Sequence, residues 1–360
     1  MKLQMKLIFG SIWCLLIGFS ALANTSFTYE EQLETSYVNN IHNFWQQGDF
    51  NHFFGKNNIR INYVYFTHAL INKTTTDKNQ RSLVIVPGRA ESYIKYQELS
   101  FDFYQQGYDI FIIDHRGQGL SERMLTNPHK GYVENFEWYS DDLHYFIKNI
   151  VKPNTVKKPY LIAHSMGGLI AARYLQKHTN AIQAAVLSSP MIAINSGMFP
   201  NHLAEILIQE SEKFNQWLSP TPWYFIGQSD FVFLPFDQNP LTQSEIRYQR
   251  LIDLYKNNSE IQLGGVTLHW LTEAFKAKQT VLNHLTTLTT PTLILQTGAD
   301  SVVDNQAQNE FCQRLHQLHP LSCPTGKPIT INNSYHELFF EQDHYREVAL
   351  THVIQWFNQH

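Results

Sequence analysis

Short apolar runs that recur between helical patterns constrain the fold of this chain more than any other feature of its sequence. These runs have the length and the turn-forming ends of buried strands, and they lie at 82–88, 108–119, 159–165, 181–190 and 291–300. Amphipathic helical patterns separate several of them, at 94–106, 138–151 and 167–178. Buried strands that alternate with such helices predict an α/β fold, with a mostly parallel central sheet covered by helices on both faces.

One long segment interrupts this alternation. Residues 191–285 are aromatic and irregular, and clear helical patterns return only in their second half. A segment of this length between two core strands is too long for a loop and predicts an inserted cap, or lid. The expected organisation is therefore a lead-in at 24–57 with a short helix, one core domain at 58–190 and 286–360, and a cap at 191–285.

The first 23 residues are a different kind of sequence. Lys2 and Lys6 precede an apolar run, and Ala21-Leu22-Ala23 then supplies the small residues of a cleavage site. This layout predicts a signal peptide at 1–23 and an exported protein, periplasmic or secreted. An uncleaved membrane anchor is the alternative, because the apolar run has the minimum length of a bilayer span.

Two cysteines lie outside this leader, Cys312 and Cys323. Two cysteines of an exported protein can form a disulfide. The spacing alone does not show whether their Cβ atoms approach closely enough, so free buried thiols are the alternative.

Residues 163–167 read Ala-His-Ser-Met-Gly at a junction between a predicted strand and a predicted helix. The pattern Gly-x-Ser-x-Gly at such a junction places a nucleophilic serine on a tight turn, where small flanking residues let strand and helix approach. Gly167 meets that need, and Ala163 adds a single methyl group. The sequence predicts Ser165 as a nucleophile, and a buried helix-capping serine is the alternative.

A serine hydroxyl needs a base to take its proton and an acid to orient the base. In this arrangement the chain order is serine, acid, histidine. Asp300 follows the last apolar run and is the predicted acid, while its competitor Asp304 is interpreted as a helix N-cap. His336 follows the strand pattern within 328–339 and is the predicted base, with His344 as its late rival.

Attack on an ester carbonyl creates an oxyanion that backbone N–H groups must stabilise. The residue after the nucleophile, Met166, is one predicted donor. The second is Arg89, in the loop at 87–92 that follows the first core strand.

Several motifs together resemble one family. They are "VPGRAESYIKY" (86–96), "DHRGQGLSER" (114–123), "AHSMGG" (163–168), "NPLTQSEIRYQR" (239–250), "GVTLHWLTEA" (265–274), "GAD" and "SYHELFFE". In order and spacing the chain is similar over 58–358 to the bacterial lysophospholipases, in the monoacylglycerol-lipase branch of the α/β-hydrolases. Pro87 and Ala163, where many relatives have His and Gly, favour the lysophospholipases within that branch.

This resemblance implies an α/β-hydrolase fold and hydrolysis of a single-chain lipid ester, with Ser165, Asp300 and His336 as the triad. The alternatives are a monoacylglycerol lipase or broad carboxylesterase, an acyltransferase, and a non-catalytic hydrolase-fold protein that binds lipid or protein. The reaction requires no cofactor, and no cluster has metal-ligand spacing. The net charge of −4 gives no reason to expect nucleic acid. Peripheral membrane contact is a further option, and the oligomeric state stays open.

The predicted cap has aromatic side chains that can shelter an acyl chain or simply join the cap to the core: Phe214, Trp217, Trp223, Tyr224, Phe225, Phe231 and Phe233. The guanidinium of Arg89 is a candidate for binding a substrate phosphate, since arginine favours bidentate phosphate contacts. A salt bridge from Arg89 to Glu91 or to another acid is the alternative.

Overall fold

A computed structural model describes residues 27–35, 37–75, 77–195 and 201–360. Its centre is an eight-stranded sheet in the order β1-β2-β4-β3-β5-β6-β7-β8. The strands are β1 (Asp49–Phe54), β2 (Arg60–Phe66), β3 (Arg81–Val86), β4 (Tyr108–Ile113), β5 (Tyr160–His164), β6 (Ala185–Ser188), β7 (Thr292–Thr297) and β8 (Ile329–Ile331). Strands β3 to β8 are parallel, and β1 and β2 join them in antiparallel pairs, so the predicted mostly parallel sheet is confirmed.

Helices cover both faces of this sheet. They are α1 (Glu30–Leu33), α2 (Val38–Trp45), α3 (His68–Asn72), α4 (Gln97–Gln105), α5 (Glu137–Phe146), α6 (Met166–Lys177), α7 (Asn201–Leu218), α8 (Glu245–Asn257), α9 (Leu268–Asn283), α10 (Asn305–Leu318) and α11 (Asp343–Gln359). Successive side chains of a strand point to opposite faces. In β3, Leu83 and Ile85 therefore pack with α2, α4 and α11, whereas Val84 and Val86 pack with α5, α6, α9 and α10. Burial on both faces explains why the strand sequences are almost continuously apolar.

The lead-in holds more structure than its sequence indicates. Besides helices α1 and α2 it contributes β1, which pairs with β2 at the edge of the sheet. Most side chains of β1 are exposed, and only Phe53 is buried. An edge strand with one buried residue lacks the apolar pattern from which strands are recognised.

The strand pattern at 60–71 ends earlier than its alternation suggests. Strand β2 ends at Phe66, and Thr67 then caps α3 by accepting a hydrogen bond of 3.0 Å from the Leu70 N–H. A threonine N-cap thus converts the end of an alternating run into a helix.

In the described part of the segment that connects β6 to β7, where the sequence predicts the cap, lie the α-helices α7, α8 and α9. Helices α7 and α9 pack against each other, and they are joined by an ion pair of Lys278 with Glu205 and by a hydrogen bond between the His269 imidazole and the Glu212 carboxylate. Strands β6 and β7 are nevertheless direct neighbours in the sheet. The segment at 191–285 therefore lies within the crossover that joins the C-terminal end of β6 to the N-terminal end of the adjacent, parallel strand β7.

The two cysteines form a disulfide, with Cα atoms of Cys312 and Cys323 5.6 Å apart. The bond ties α10 to the loop that precedes β8. Of the alternatives considered from the sequence, the disulfide is therefore confirmed.

The predicted leader, residues 1–23, lies outside the described residues. Among the helices of the described ranges, none combines the length and apolar character that crossing a bilayer requires.

Candidate active site

Ser165 occupies the sharp turn between β5 and α6. Its backbone has φ 51° and ψ −118°, a conformation that costs a non-glycine residue about 1–3 kcal/mol. A Cβ on Gly167 would lie 2.3 Å from the Val86 carbonyl oxygen and 2.4 Å from that of Pro87. The turn therefore depends on glycine on the helix side, while the strand side accommodates the fully buried methyl group of Ala163.

Parallel strands end at a common edge of the sheet, which is why four loops converge near Ser165. His336, after β8, has its Nε2 atom 3.0 Å from Ser165 Oγ. Its Nδ1 atom lies 2.8 Å from the Oδ2 atom of Asp300, after β7. The structure thus brings the three predicted residues together in the order required for proton transfer from serine to histidine.

The Asp300 carboxylate is fixed from several sides. Its Oδ1 atom accepts hydrogen bonds from the Val302 and Val303 N–H groups, at 2.8 and 3.1 Å, and Oδ2 accepts one from the Thr297 hydroxyl. Burial by itself raises the pKa of Asp300, but the hydrogen bond and charge of His336, with these further donors, bring the pKa below its usual value. The acid is therefore ionised at neutral pH and can hold the imidazole in one orientation.

The rival residues lie elsewhere. Asp304 caps α10 by accepting hydrogen bonds from the Gln306 and Ala307 N–H groups, as expected from the sequence. His344 lies in the first turn of α11, where its ring contacts that of Tyr345 at an interplanar angle of 44°.

The two predicted oxyanion donors remain available. Within the described ranges, neither the Arg89 nor the Met166 N–H group donates a hydrogen bond to a protein acceptor. The neighbouring Gly88 N–H is engaged by the Glu91 carboxylate, and the Gln118 side chain donates to the Gly88 carbonyl at 2.7 Å. These contacts fix the loop while leaving the Arg89 N–H free.

A buried ionic cluster beside His336 was not predicted from the sequence. The Lys95 ammonium contacts Glu91 Oε1 at 2.6 Å and Glu337 Oε1 at 2.7 Å, and the Tyr96 hydroxyl donates to Glu91 Oε2. The i,i+4 spacing of Glu91 and Lys95 is the only sequence signal for it. Burial favours protonation of Glu91, but the Lys95 charge outweighs this effect and brings the pKa of Glu91 to about 2.

His164, directly before the nucleophile, borders this cluster. Burial lowers its pKa to about 3, so the imidazole is neutral at physiological pH. Potential ligand atoms of Glu91, His164 and Glu337 lie within 4.8 Å of one another. Because the Lys95 ammonium bonds to both carboxylates, it already supplies the positive charge that a metal ion would bring.

A cavity of about 1300 Å³ opens onto Ser165 and His336. Ligand pockets commonly measure about 300–1,000 Å³, so this one is large. Four of the predicted aromatic residues line it: Phe214, Trp223, Tyr224 and Phe225. The other three do not. Trp217 is 78% exposed, and Phe231 packs against Phe233 and Tyr255.

Arg89 also lines this cavity, and it makes no salt bridge with Glu91. The Glu91 carboxylate bonds instead to Lys95, Tyr96 and the Gly88 N–H. The sequence-based alternative of an Arg89–Glu91 pair is therefore wrong, because Lys95 occupies the place that Arg89 would need.

The sheet, the serine turn and the inserted segment are those of an α/β-hydrolase. Residues 77–343 match the family model Hydrolase_4, described as serine aminopeptidase, S33, and the chain belongs to that family. The residues that match the family model make up most of the chain and include the loops that carry Ser165, Asp300 and His336.

Lysophospholipase L2 of Escherichia coli K12 is 39% identical to this chain over 318 residues, which cover 88% of the chain and 89% of that protein. A probable lysophospholipase L2 of Haemophilus influenzae is 31% identical, covering 88% and 94% respectively. The resemblance inferred from the motifs is thus confirmed. Together with the family, these relatives identify the chain as a serine ester hydrolase.

Among solved structures, a soluble variant of monoglyceride lipase from Saccharomyces cerevisiae, in complex with a substrate analog, superposes with a TM-score of 0.65. It is 16% identical and covers 86% of this chain and 94% of its own. This likeness supports the α/β-hydrolase fold.

Proposed function

We propose that this hydrolase cleaves the acyl ester of lysophospholipids through a Ser165–His336–Asp300 triad and an acyl-enzyme intermediate. The observation that carries the proposal is the continuous hydrogen-bonded series from Ser165 Oγ to Asp300, whose Ser165 and His336 line a large and mostly apolar cavity. The similarity to two proteins named as lysophospholipases supports this substrate class.

In the first half of the reaction, Ser165 Oγ forms a bond to the acyl carbonyl carbon while His336 Nε2 takes its proton. The oxyanion accepts hydrogen bonds from the Arg89 and Met166 N–H groups. The carbon–oxygen bond to the glycerophospho-alcohol then breaks, and that alcohol leaves with the proton from His336.

In the second half, water attacks the acyl-enzyme and gives a proton to His336. The bond to Ser165 Oγ breaks, the fatty acid is released, and the serine recovers its proton. Asp300 remains ionised throughout and stabilises the imidazolium that forms twice.

The test is hydrolysis of a lysophosphatidylcholine and of a monoacylglycerol with the same acyl chain, by wild-type enzyme and by Ser165→Ala. We expect fatty acid release from the lysophospholipid, and loss of both this activity and fluorophosphonate labelling in Ser165→Ala. Turnover of the monoacylglycerol alone would favour a glyceride lipase or general carboxylesterase. Acyl transfer to a second lipid would indicate a transferase, and no turnover or labelling would indicate a non-catalytic binder.

Peripheral membrane contact is part of the proposal, because the cap exposes large apolar side chains around the cavity. Trp217 is 78% exposed and Ile226 is 88% exposed, and Leu207 on α7 is 65% exposed. Apolar side chains grouped in this way mark interaction surfaces. Sedimentation with phospholipid vesicles tests this contact, and Trp217→Ser with Ile226→Ser should weaken it if the cap is the contact surface.

We also propose that the protein is exported, with residues 1–23 as the signal. The Cys312–Cys323 disulfide supports this location, because disulfides persist in oxidising compartments. Cell fractionation combined with the mass of the purified protein tests it. A mass that includes residues 1–23 in a membrane fraction would favour an uncleaved anchor instead.

A further inference from the structure

We infer that the Arg89 guanidinium binds the phosphate of the substrate inside the catalytic cavity and so distinguishes a lysophospholipid from a neutral glyceride. This inference rests on the proposed function and adds the group that selects the substrate. One residue then has two tasks, since its backbone N–H faces the reacting carbonyl and its side chain faces the headgroup.

The first observation is that Arg89 has no acidic partner. In the part of the chain that the structure describes, no carboxylate forms an ion pair with it. By contrast, the buried arginines of the described residues each pair with an acid: Arg116 with Asp142, Arg247 with Glu98 and Asp343, and Arg346 with Asp102.

The acids that line the same cavity already bond to lysines. Glu91 and Glu337 share Lys95, whereas Glu205 bonds to Lys278 and Glu210 bonds to Lys213. None of these carboxylates pairs with Arg89, so its side chain faces the cavity without an acidic partner.

The guanidinium is nevertheless held in place. Its Nη2 group donates to the Gly264 carbonyl oxygen, and its Cζ atom lies 5.7 Å from the centre of the Trp270 ring. Gly131 leaves room for it, because a Cβ there would lie 2.9 Å from Nη2. These neighbours orient the guanidinium group without neutralising its charge.

Two of its donor groups remain unused. Nε is buried and has no acceptor among the described residues, and none of them accepts a hydrogen bond from Nη1. Burial lowers the pKa of Arg89 to about 10, so the group is still cationic at neutral pH. A cation that has no acidic partner and a buried, unused donor is unfavourable unless an anion accepts from it, and the planar guanidinium suits phosphate oxygens.

The reach of the side chain fits this substrate. An extended arginine places its guanidinium about 6 Å from its own backbone, given single bonds of about 1.5 Å. In a 1-acyl lysophospholipid, the three glycerol carbons separate the acyl ester from the phosphate by a similar span. The carbonyl oxygen can therefore lie at the Arg89 N–H while the phosphate lies at the same residue's guanidinium.

The test compares Arg89→Met, which keeps the apolar stem and removes the charge, with Arg314→Met as the control. Arg314 is exposed on α10 and donates to the Leu282 carbonyl, remote from the cavity lining. For each protein, kcat/KM is measured on a short-chain lysophosphatidylcholine and on the monoacylglycerol of equal chain length, both below their micelle concentrations.

We expect the lysophospholipid-to-monoacylglycerol ratio of kcat/KM to fall at least tenfold in Arg89→Met, chiefly through KM, and to stay at the wild-type value in Arg314→Met. A change of less than threefold in Arg89→Met would overturn the inference. If the wild-type enzyme fails to hydrolyse the lysophospholipid, the proposed function fails instead, so the two failures are distinguishable.

A second measurement uses only the wild-type protein and so does not depend on the variant folding. The rate of fluorophosphonate labelling of Ser165 is followed with an ether-linked lysophospholipid, with the matching alkylglycerol ether, and with inorganic phosphate. Half-maximal protection by the ether lysophospholipid at a tenfold lower concentration than by either other compound supports the inference. Equal protection by the alkylglycerol, or by inorganic phosphate, contradicts headgroup recognition.

Discussion

Replacing Gly167 with alanine should disable the enzyme while leaving most of the fold intact. The new Cβ would lie 2.3 Å from the Val86 carbonyl oxygen, whereas ordinary contacts begin at 3.4 Å. Helix α6 must therefore withdraw from β3 by about 1 Å, since neither partner is the end of a flexible side chain. This displacement moves the Met166 N–H away from the loop that carries the Arg89 N–H.

Oxyanion donors act at about 2.7–3.1 Å, and loss of one donor lowers kcat by about 10² to 10³. We expect a loss of that size in Gly167→Ala, together with about 1–3 kcal/mol of lost stability from overpacking. The assay is kcat on a soluble short-chain ester, paired with urea unfolding. Ala163→Gly is the matched control, because it restores the commoner motif and removes only a buried methyl group; its kcat should stay within a few-fold of wild type. If Gly167→Ala keeps kcat within tenfold of wild type, the close approach of strand and helix does not set the oxyanion geometry.

Three further outcomes follow from the contacts around the site. Asp300→Asn should lower kcat by about 10⁴, because the amide stabilises the wrong histidine tautomer, whereas Asp304→Asn should remain active; similar losses in both variants would reject Asp300 as the acid. Glu91→Gln should cost about 2 kcal/mol of unfolding free energy in urea at pH 7, because it removes a charge-assisted hydrogen bond to Lys95, which keeps Glu337 as its second partner. The pKa of Glu91 is about 2 in the folded protein and 4.5 ordinarily, so the stabilisation by its carboxylate is complete above pH 4.5 and should shrink as the pH falls toward 2. If the difference in unfolding free energy between wild type and Glu91→Gln does not vary with pH, the pairing with Lys95 is contradicted. Replacing Cys312 and Cys323 together with serine should remove about 3 kcal/mol, by the loop-closure entropy of their 11-residue separation, and unchanged stability would show that the bond constrains little.

The predicted strands and the three converging residues could be inferred from sequence because one topological rule links them. Parallel strands end at one edge, so the loops that follow β5, β7 and β8 open at the same edge. Ser165 directly follows β5, whereas Asp300 and His336 lie a few residues beyond the ends of β7 and β8. The rule therefore predicts the edge at which they lie, and the order serine, acid, histidine along the chain selects the residues.

The ionic cluster and the surroundings of Arg89 could not be inferred in this way. Glu91 and Glu337 are far apart in the chain, and their approach to Lys95 depends on how two loops pack. Glu91 pairs with Lys95 and not with Arg89 because of the way these loops pack. The residue types alone do not predict which of the two cations becomes the partner. The aromatic residues differ for the same reason: Phe225 lines the cavity and Trp217 faces outward, although both are equally apolar.

The pairing of β6 directly with β7 has a consequence for engineering. Ala185 and Thr292 are register partners although residues 191–285 lie between them in the chain. Lengthening such an excursion is cheap, since each doubling of a flexible loop adds about 0.6 kcal/mol of closure entropy. The connection between Ser188 and Thr292 can therefore be replaced at little cost to the pairing of the two strands, which makes it the place to graft a different cavity wall in the laboratory.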